Sequence, residues 1–291
     1  MNRGRSSDIF WPTLVGMNFT EVRPGIHTAI LDPEQVTVTV IIGETCCLLV
    51  DTGSTPAQGA AIRRAVAELT DVPLRTVAVT HGHWDHAFGL SAFADLDTVG
   101  SEHLPKDLRC RENAEWAVRQ GLDLDALARP TTSVSMIGVC DLGGLTVEIA
   151  NFGPAHTHSD LILAVPDRSV VLAGDLVESG PPQFDETSSL VGWVKALDAL
   201  HSLLKPTTII IPGHGHLLTP EDVAHFRSGL AALWDQSEWA FQQGISVDKA
   251  YGQKGVEWPW DRTTATAGIS LAYRELSAQP GAHPSGDSLG A

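Results

Sequence analysis

The sequence predicts a single α/β domain built from two similar halves, and three observations support this. Strand-like runs, a helix, a strand and a helix are followed by the same order of elements once more. No stretch rich in Pro, Gly and Ser separates the two halves, and histidines and aspartates in unusual contexts occur in both. We therefore expect residues 1–277 to form one domain. Residues 278–291, rich in Pro, Gly and Ser, are expected to form a disordered tail.

The first half begins with strands and turns into a helix. Its strand-like runs, rich in β-branched residues, are residues 22–31, 36–42, 46–50 and 76–80. After the third run, Ser54 or Thr55 can cap a helix and Pro56 can occupy its first position. Apolar side chains at helical spacing follow from Ile62 to Leu69, so one face of this helix is expected to pack inward.

The second half repeats the order with longer helices. A polar helical stretch over residues 106–128, which contains Trp116, precedes it. Strand-like runs are residues 132–139, 145–152, 161–165, 169–173 and 207–212, and the predicted helices are residues 190–204, 220–244 and 264–277.

Composition and charge limit the classes of function. Of 291 residues, 43% are hydrophobic and 19% are charged, which excludes a disordered, collagenous or coiled-coil chain. No apolar run is long enough for a membrane span, and the basic N-terminal residues precede no apolar run typical of a secretion signal. The formal net charge of −16 disfavours nucleic acid and anionic lipid as partners. We predict a cytoplasmic protein with a small-molecule substrate, reduced cysteines and an oligomeric state that the sequence leaves open.

The densest group of histidines directly follows the strand at residues 76–80. It reads His81-Gly82-His83-Trp84-Asp85-His86. Because His81 and His83 are two residues apart, their imidazoles project to the same side of an extended segment. Gly82 lets the chain bend close to an ion, and Asp85 and His86 lie where the next helix is expected to begin. Three imidazoles and a carboxylate at this density are typical of a zinc site.

Three later residues occupy the same kind of position. His156 lies in a turn between two predicted strands, Asp175 ends a strand-like run after a glycine, and His214 follows another strand beside a glycine. Because each lies in a loop at the end of a strand, they are expected to join the histidine cluster in one metal site.

This series of residues resembles the metallo-β-lactamase superfamily. The matching motifs are His81-x-His83-x-Asp85-His86, His156, Asp175 and His214, together with the turn Asp51-Thr52-Gly53. The resemblance covers roughly residues 20–245. It implies an αβ/βα four-layer sandwich of two mixed β-sheets, with helices on the outer faces and the metal site along one edge.

The resemblance also implies a pair of zinc ions, with iron or manganese as other possible metals. One ion would be held by His81, His83 and His156, the second by Asp85, His86 and His214, and Asp175 would bridge them. Asp51 resembles a residue that supports a ligand through a hydrogen bond. Such ions would lower the pKa of a bound water molecule from 15.7 toward about 7 and would so supply a hydroxide able to attack a carbonyl or phosphoryl centre. Asp85 is the predicted catalytic residue, because a ligand beside the nucleophile can accept or relay a proton.

The identity of the residue at position 175 narrows the class of substrate that the resemblance implies. Dedicated antibiotic-hydrolysing members of the family typically carry Cys or Ser there, whereas thioesterases, lactonases and phosphodiesterases carry Asp. We therefore predict a di-zinc hydrolase acting on a small ester, thioester or lactone. Three alternatives stay open: a mononuclear iron oxygenase resembling persulfide dioxygenases, a β-lactam hydrolase, and a binding module with structural zinc. The pocket walls are predicted in residues 103–129 with Trp116, in residues 178–191 with Phe184, and at Trp84.

Overall fold

A computed structural model of the protein describes residues 17–279. Within them, a seven-stranded and a five-stranded β-sheet face each other, and helices cover the outer side of each sheet. This arrangement confirms the predicted αβ/βα sandwich.

The first half of the chain forms the seven-stranded sheet, whose strands follow one another in chain order. The strands are β1 (Thr20–Arg23), β2 (Ile26–Leu31), β3 (Val36–Ile42), β4 (Cys47–Val50), β5 (Leu74–Ala78), β6 (Asp97–Ser101) and β7 (Thr132–Val134). Strands β1 to β4 pair antiparallel, and β4 to β7 pair parallel. The helices of this half are α1 (Pro56–Leu69), α2 (Trp84–Ala87), α3 (Leu104–Asp107) and α4 (Arg111–Gln120).

The second half forms the five-stranded sheet in the order β12-β11-β10-β9-β8. Its strands are β8 (Ile137–Asp141), β9 (Thr146–Ala150), β10 (Ile162–Val165), β11 (Val170–Gly174) and β12 (Ile209–Pro212). Strands β8 to β11 are antiparallel, whereas β11 and β12 run parallel. The helices are α5 (Leu190–Leu203), α6 (Pro220–Gln242), α7 (Val247–Ala250) and α8 (Arg262–Ser277). Strand β8 forms one edge of the sheet and exposes Met136, Ile137 and Val139 beside and along it.

Three apolar layers hold the sandwich together. Leu48, Leu163 and Ile211 belong to the layer between the two sheets. A second layer lies between the seven-stranded sheet and its helices and includes Ile62 of α1, and a third includes Trp193 of α5. Burying such side chains stabilises the fold by about 1.5–3 kcal/mol each, so the helices are fixed against the sheets mainly by packing.

Helix α1 begins as the sequence predicts. The hydroxyl of Thr55, rather than that of Ser54, accepts the backbone N–H of Gln58 at 3.2 Å, and Pro56 is the first helical residue. The cap satisfies one of the amide groups that a helix leaves unpaired at its start.

Several predicted elements are divided in the structure. Residues 22–31 contain two strands, β1 and β2, because the chain turns at Pro24 and Gly25. Residues 132–139 belong to β7 in one sheet and β8 in the other. The helical stretch over residues 106–128 is broken into α3, α4 and a 3₁₀ turn, with Gly121 in left-handed conformation (φ 66°) ending α4.

The N-terminal residues 1–16, where no secretion signal is predicted, and residues 280–291 of the predicted tail lie outside the described residues. The division into one domain and a tail stays a prediction. All four cysteines are free thiols, as predicted. Among residues 17–279, no helix has both the length and the apolar character that crossing a bilayer requires.

Candidate metal centre

The predicted ligands lie at one edge of the sandwich because they follow strands that end there. Asp51 follows β4 and the segment of residues 81–86 follows its parallel neighbour β5. Asp175 and His214 follow the parallel pair β11 and β12 in the other sheet. His156 lies in the loop between β9 and β10.

Backbone hydrogen bonds join the two sheets at this edge. The N–H of Leu161 donates to the carbonyl of Thr80 at 2.7 Å, and the N–H of Thr37 donates to the carbonyl of Gly213 at 2.7 Å. The loops from the two halves are therefore held against each other by their main chains.

One set of ligand atoms, here the first ligand group, consists of His81, His83, His156 and Asp175. Nδ1 of His83 lies 3.1 Å from Nε2 of His81 and 3.0 Å from Nε2 of His156. Oδ2 of Asp175 lies 3.7 Å from Nε2 of His81 and 3.6 Å from Nε2 of His156. Four ligands around zinc at ~2.0–2.1 Å would be about 3.3–3.4 Å apart in a tetrahedron. The observed distances bracket that value, so the group fits a zinc ion.

The second ligand group consists of Asp85, His86 and His214. Oδ2 of Asp85 lies 3.1 Å from Nε2 of His214, and Nε2 of His86 lies 3.4 Å from the same nitrogen. Asp175 reaches this group as well, with Oδ1 3.3 Å from Nε2 of His86. All seven predicted ligands thus converge, and Asp175 lies between the two groups. That they bind metal stays a prediction.

Asp51 orients two of the histidines. Its Oδ2 accepts the Nδ1–H of His86 at 2.8 Å, which leaves Nε2 of His86 with a lone pair directed into the second ligand group. Asp51 also accepts the hydroxyl of Thr80 at 2.9 Å, and that hydroxyl lies 3.1 Å from Nδ1 of His81. Asp51 therefore makes the supporting hydrogen bond that the resemblance implies, and it does not cap α1.

Asp185 and Glu34 orient two further histidines, a role that the sequence pattern predicts for neither residue. Oδ2 of Asp185 lies 3.0 Å from Nε2 of His83, so His83 presents its other nitrogen, Nδ1, to the first ligand group. The carbonyl of Glu34 lies 3.2 Å from Nδ1 of His214 and leaves Nε2 of that ring free.

The loop between β11 and α5 holds Asp185 in place. Oδ1 of Asp185 accepts the N–H of Thr187 at 2.6 Å, the hydroxyl of Thr187 at 2.7 Å and the N–H of Ser188 at 3.1 Å. The hydroxyl of Ser188 donates to the carbonyl of His156 at 2.7 Å. One short loop therefore supports both His83 and His156. The sequence predicts residues 178–191 as a pocket wall, but it does not indicate that Asp185 and Ser188 support these histidines.

The histidines have divergent pKa values in the protein without a cation. Burial lowers the pKa of His81 well below its usual value and lowers that of His156 to about 4. Burial also opposes protonation of His83, but the hydrogen bond to Asp185 outweighs it and raises its pKa to about 9. At His214 the hydrogen bond to Asp85 likewise outweighs burial and raises the pKa to about 9.

Buried carboxylates cause these upward shifts. Burial would raise the pKa of Asp175, but the charges of His86 and His81 lower it well below its usual value. Although Asp175 is buried, its Oδ1 has no hydrogen-bond partner. The centre therefore attracts positive charge, and a divalent cation fits both the charge and the unpaired oxygen. Glu178 is buried as well, and its burial and the charge of Asp175 raise its pKa to about 8.

Two glycines permit close approaches around the centre. A Cβ on Gly213 would collide with Oδ1 of Asp175 and lie 2.8 Å from Cε1 of His86. A Cβ on Gly82 would lie 2.7 Å from Cβ of Asp107. Gly82 was expected to let the chain approach an ion, whereas in the structure it makes room for Asp107.

A cleft of about 90 Å³ that opens to solvent lies above the ligand groups. Besides candidate ligands, it is lined by Trp84, Glu112, Gln183, Phe184 and Asp185. Trp84 and Phe184 thus line the cleft as predicted. Trp116 does not, because it stacks behind Trp84 with ring centroids 3.7 Å apart and Nε1 donating to the carbonyl of Ser54.

Comparisons with known proteins agree with this architecture. The sequence profile of the metallo-beta-lactamase superfamily matches residues 31–214. No curated protein matches the chain. Among solved structures, the metallo-beta-lactamase FIM-1 from Pseudomonas aeruginosa in its mono-zinc form is 22% identical, with a TM-score of 0.58 over 75% of this chain and 95% of that one. A metallo-beta-lactamase from Pontibacter korlensis is 18% identical, with a TM-score of 0.59 over 74% of this chain and 99% of that one.

A third similar structure is a double mutant of the sec-alkyl sulfatase PisA1. It is 16% identical, with a TM-score of 0.72 over 89% of this chain, and this chain spans 50% of that protein. At these identities the solved structures show the fold alone. The family follows from the sequence profile, which covers more than half of the chain and ends at His214. With that match and with His and Asp side chains gathered at the edge of the sandwich, the chain belongs to the metallo-β-lactamase superfamily.

Proposed function

We propose that the protein is a di-zinc hydrolase that acts on a small ester, thioester or lactone. The observation that supports this most is the pair of ligand groups that share Asp175 beneath an open cleft. Structural zinc sites are closed, whereas catalytic sites keep a position open for water or substrate. An open cleft at the ligands therefore favours catalysis over a purely structural metal site.

Each ligand group would hold one ion. His81, His83 and His156 would bind the first, Asp85, His86 and His214 would bind the second, and Asp175 would be shared. When bound, two zinc ions supply a water molecule of lowered pKa and polarise the oxygen atom that gains charge.

The protein's own residues would position this chemistry. Asp51 and Asp185 hold imidazole rings in the orientation that presents a lone pair to the ligand groups. Asp85 lines the cleft and contacts His214, so its carboxylate is placed to accept a proton from the attacking water. Trp84 and Phe184 supply apolar surface for the rest of the substrate.

The carboxylate at position 175 favours an ester, thioester or lactone over a β-lactam. Dedicated antibiotic-hydrolysing members of the family typically carry Cys or Ser at the corresponding position. The two lactamases among the similar structures support the fold, and their identities are too low to carry their substrates over to this chain.

Metal analysis combined with two substitutions tests the proposal. We expect close to two zinc ions per chain. His81→Ala and Asp85→Ala should lower turnover by about 100-fold or more, because the first removes a ligand and the second also removes the proton acceptor. His225→Ala, at an exposed position on α6, is the matched control and should retain both zinc and activity.

A small substrate panel completes the test. A thioester, a lactone, nitrocefin and a phosphodiester are offered to the zinc-loaded protein, and oxygen consumption with a persulfide is followed for the protein as purified. Turnover of the thioester or the lactone supports the proposal. Full activity of the metal-free protein would contradict it, as would one iron per chain with oxygen consumption.

A further inference from the structure

We propose that the cleft selects substrates whose non-reacting part carries a positive charge, such as an ammonium group, over substrates that carry a carboxylate there. This inference rests on the proposed hydrolytic function and adds the charge of the substrate to it.

The wall of the cleft contains two carboxylates that belong to neither the first nor the second ligand group. Glu112 at the start of α4 and Asp185 both line the cleft. Oε1 of Glu112 accepts a long hydrogen bond, at 3.4 Å, from Nε1 of Trp84. Asp185 accepts hydrogen bonds from the neutral donors of its own loop and contacts His83.

No lysine or arginine among residues 17–279 lines the cleft. The two arginines at the ends of α4 face other partners. Nε of Arg111 lies 3.5 Å from Glu186, and the guanidinium of Arg119 lies 5.4 Å from the centre of the Trp116 ring. A carboxylate on the substrate would therefore meet like charges at the wall without a cation to pair with.

Aromatic rings accompany these carboxylates. Trp84 and Phe184 line the same cleft, and Trp84 is held by stacking on Trp116. An ammonium group beside an indole or phenyl ring is attracted by the ring electrons, and the attraction adds to that of a nearby carboxylate. Aromatic surface and carboxylate together recognise an alkylammonium group better than either alone.

Bound metal ions would not reverse the preference of the cleft wall for a positive charge. Two divalent cations would bring four positive charges, and the lining carboxylates Asp85, Asp175, Asp185 and Glu112 bring four negative ones. The positive charge would be concentrated at the reacting centre, whereas Glu112 and Asp185 line the cleft without belonging to either ligand group. The wall therefore governs the part of the substrate that does not react.

Three p-nitrophenyl esters of matched shape test the inference. The acyl groups are 4-(trimethylammonio)butanoate, its uncharged carbon analogue 5,5-dimethylhexanoate, and glutarate with a free carboxylate. With the zinc-loaded protein, kcat/KM should fall in that order, by about two- to fivefold at each step, the size expected for partly exposed charge pairs. The differences should shrink as salt is raised, because exposed charges are screened.

Substitution of Glu112 assigns the effect to the wall. Glu112→Gln should reduce the ratio of kcat/KM for the cationic ester to kcat/KM for the anionic ester. Glu112→Lys should lower the same ratio by about tenfold, since it replaces attraction of the cation by repulsion. Glu115→Lys is the matched control, because Glu115 is exposed on the same helix and does not line the cleft. Zinc content and turnover of the uncharged ester verify that each variant is folded.

The outcomes separate this inference from the proposed function. If all three esters are hydrolysed equally, if the anionic ester is preferred, or if Glu112→Lys leaves the ratio unchanged, the inference is overturned while the hydrolase remains. If no ester is hydrolysed, titration calorimetry with the corresponding amides measures whether the cleft binds the positively charged compound more tightly than the negatively charged one. Tighter binding of the ammonium amide than of glutaramate supports the inference, and equal or weaker binding overturns it.

Discussion

Asp185 lies outside the predicted ligand set and contacts one of the predicted ligands directly. It contacts Nε2 of His83 at 3.0 Å, and the loop that carries it also contacts the main chain of His156 through Ser188. An imidazole whose outer nitrogen donates to a carboxylate is fixed in rotation and is a stronger base at its inner nitrogen. Asp185 therefore acts through His83 as a positioning residue.

Substituting Asp185 by Asn should weaken metal binding by about 10- to 100-fold, because an amide holds the ring with a weaker, uncharged hydrogen bond. Competition with a chelating dye measures the affinity independently of activity. Asp125→Asn, an exposed position, should leave the affinity unchanged. An Asp185→Asn protein that binds zinc as tightly as the original would show that the contact with His83 has no such role.

The predicted ligands and Asp185 lie in different local contexts, which explains why the sequence predicts the ligands but not Asp185. Asp175 and His214 follow apolar strands and lie beside glycines, so the pattern marks them as residues at the end of a sheet. Asp185 lies between Pro182 and Thr187 in a loop without regular structure, eleven residues after β11. Its contact with His83 depends on the path of that loop, which local patterns do not determine.

Helix α5 connects the outer helical layer to the candidate metal centre. Trp193 is fully buried, its Nε1–H donates to the carbonyl of Leu176 at 2.8 Å, and its ring lies 5.2 Å from that of His156. Because Leu176 directly follows Asp175, this single side chain contacts two segments that carry predicted ligands.

Trp193→Phe should lower the free energy of unfolding by about 1–3 kcal/mol, since it leaves the buried carbonyl of Leu176 without its donor. Urea unfolding of the zinc-loaded protein measures the change. Trp239→Phe, at a position 45% exposed on α6, is the control and should change stability by about 0.5 kcal/mol or less. Equal effects of the two substitutions would argue against a stabilising role of the hydrogen bond.

The elements differ in how well the sequence specifies them. Helix α5 was predicted within one residue because its apolar positions repeat at helical spacing. Strand β6 was missed, since Asp97–Ser101 contains one large apolar residue, Val99, and gains its place by pairing with β5. The run over residues 132–139 looks continuous, yet only the three-dimensional structure separates β7 from β8. Which sheet a strand joins is decided by long-range pairing.

In the whole molecule, the candidate metal centre spans the two halves. Residues 81–86 follow a strand of the seven-stranded sheet, whereas Asp175 and His214 follow strands of the five-stranded sheet. A cation bound to both ligand groups would therefore link the sheets and exist as a site only in the folded protein. Binding energy of this kind adds to folding stability.

Removal of metal by a chelator should lower the midpoint temperature of thermal unfolding. When free zinc is present at 1,000 times its Kd, bound zinc should stabilise the folded protein by about 4 kcal/mol, and the chelator removes this stabilisation. The shift should be larger at pH 8 than at pH 6. His83 and His214 have pKa values of about 9 without a cation, so zinc must displace their protons and competes less well as pH falls. Scanning calorimetry with and without chelator at both pH values measures this.

In His81→Ala the same chelator should shift the midpoint much less, because that variant lacks one ligand of the first ligand group. An original protein whose midpoint is insensitive to chelator at both pH values would show that metal does not link the two halves.

The exposed edge strand β8 affects how the protein behaves at high concentration. Met136 just before β8, and Ile137 and Val139 within it, are 71%, 77% and 66% exposed, and among residues 17–279 no strand pairs with the outer side of β8. Such an edge offers open backbone donors and acceptors together with apolar side chains, the combination through which separate molecules associate and precipitate. Ile137→Lys would interrupt this apolar strip at a residue that does not line the cleft, and it is the change we would choose first to improve solubility.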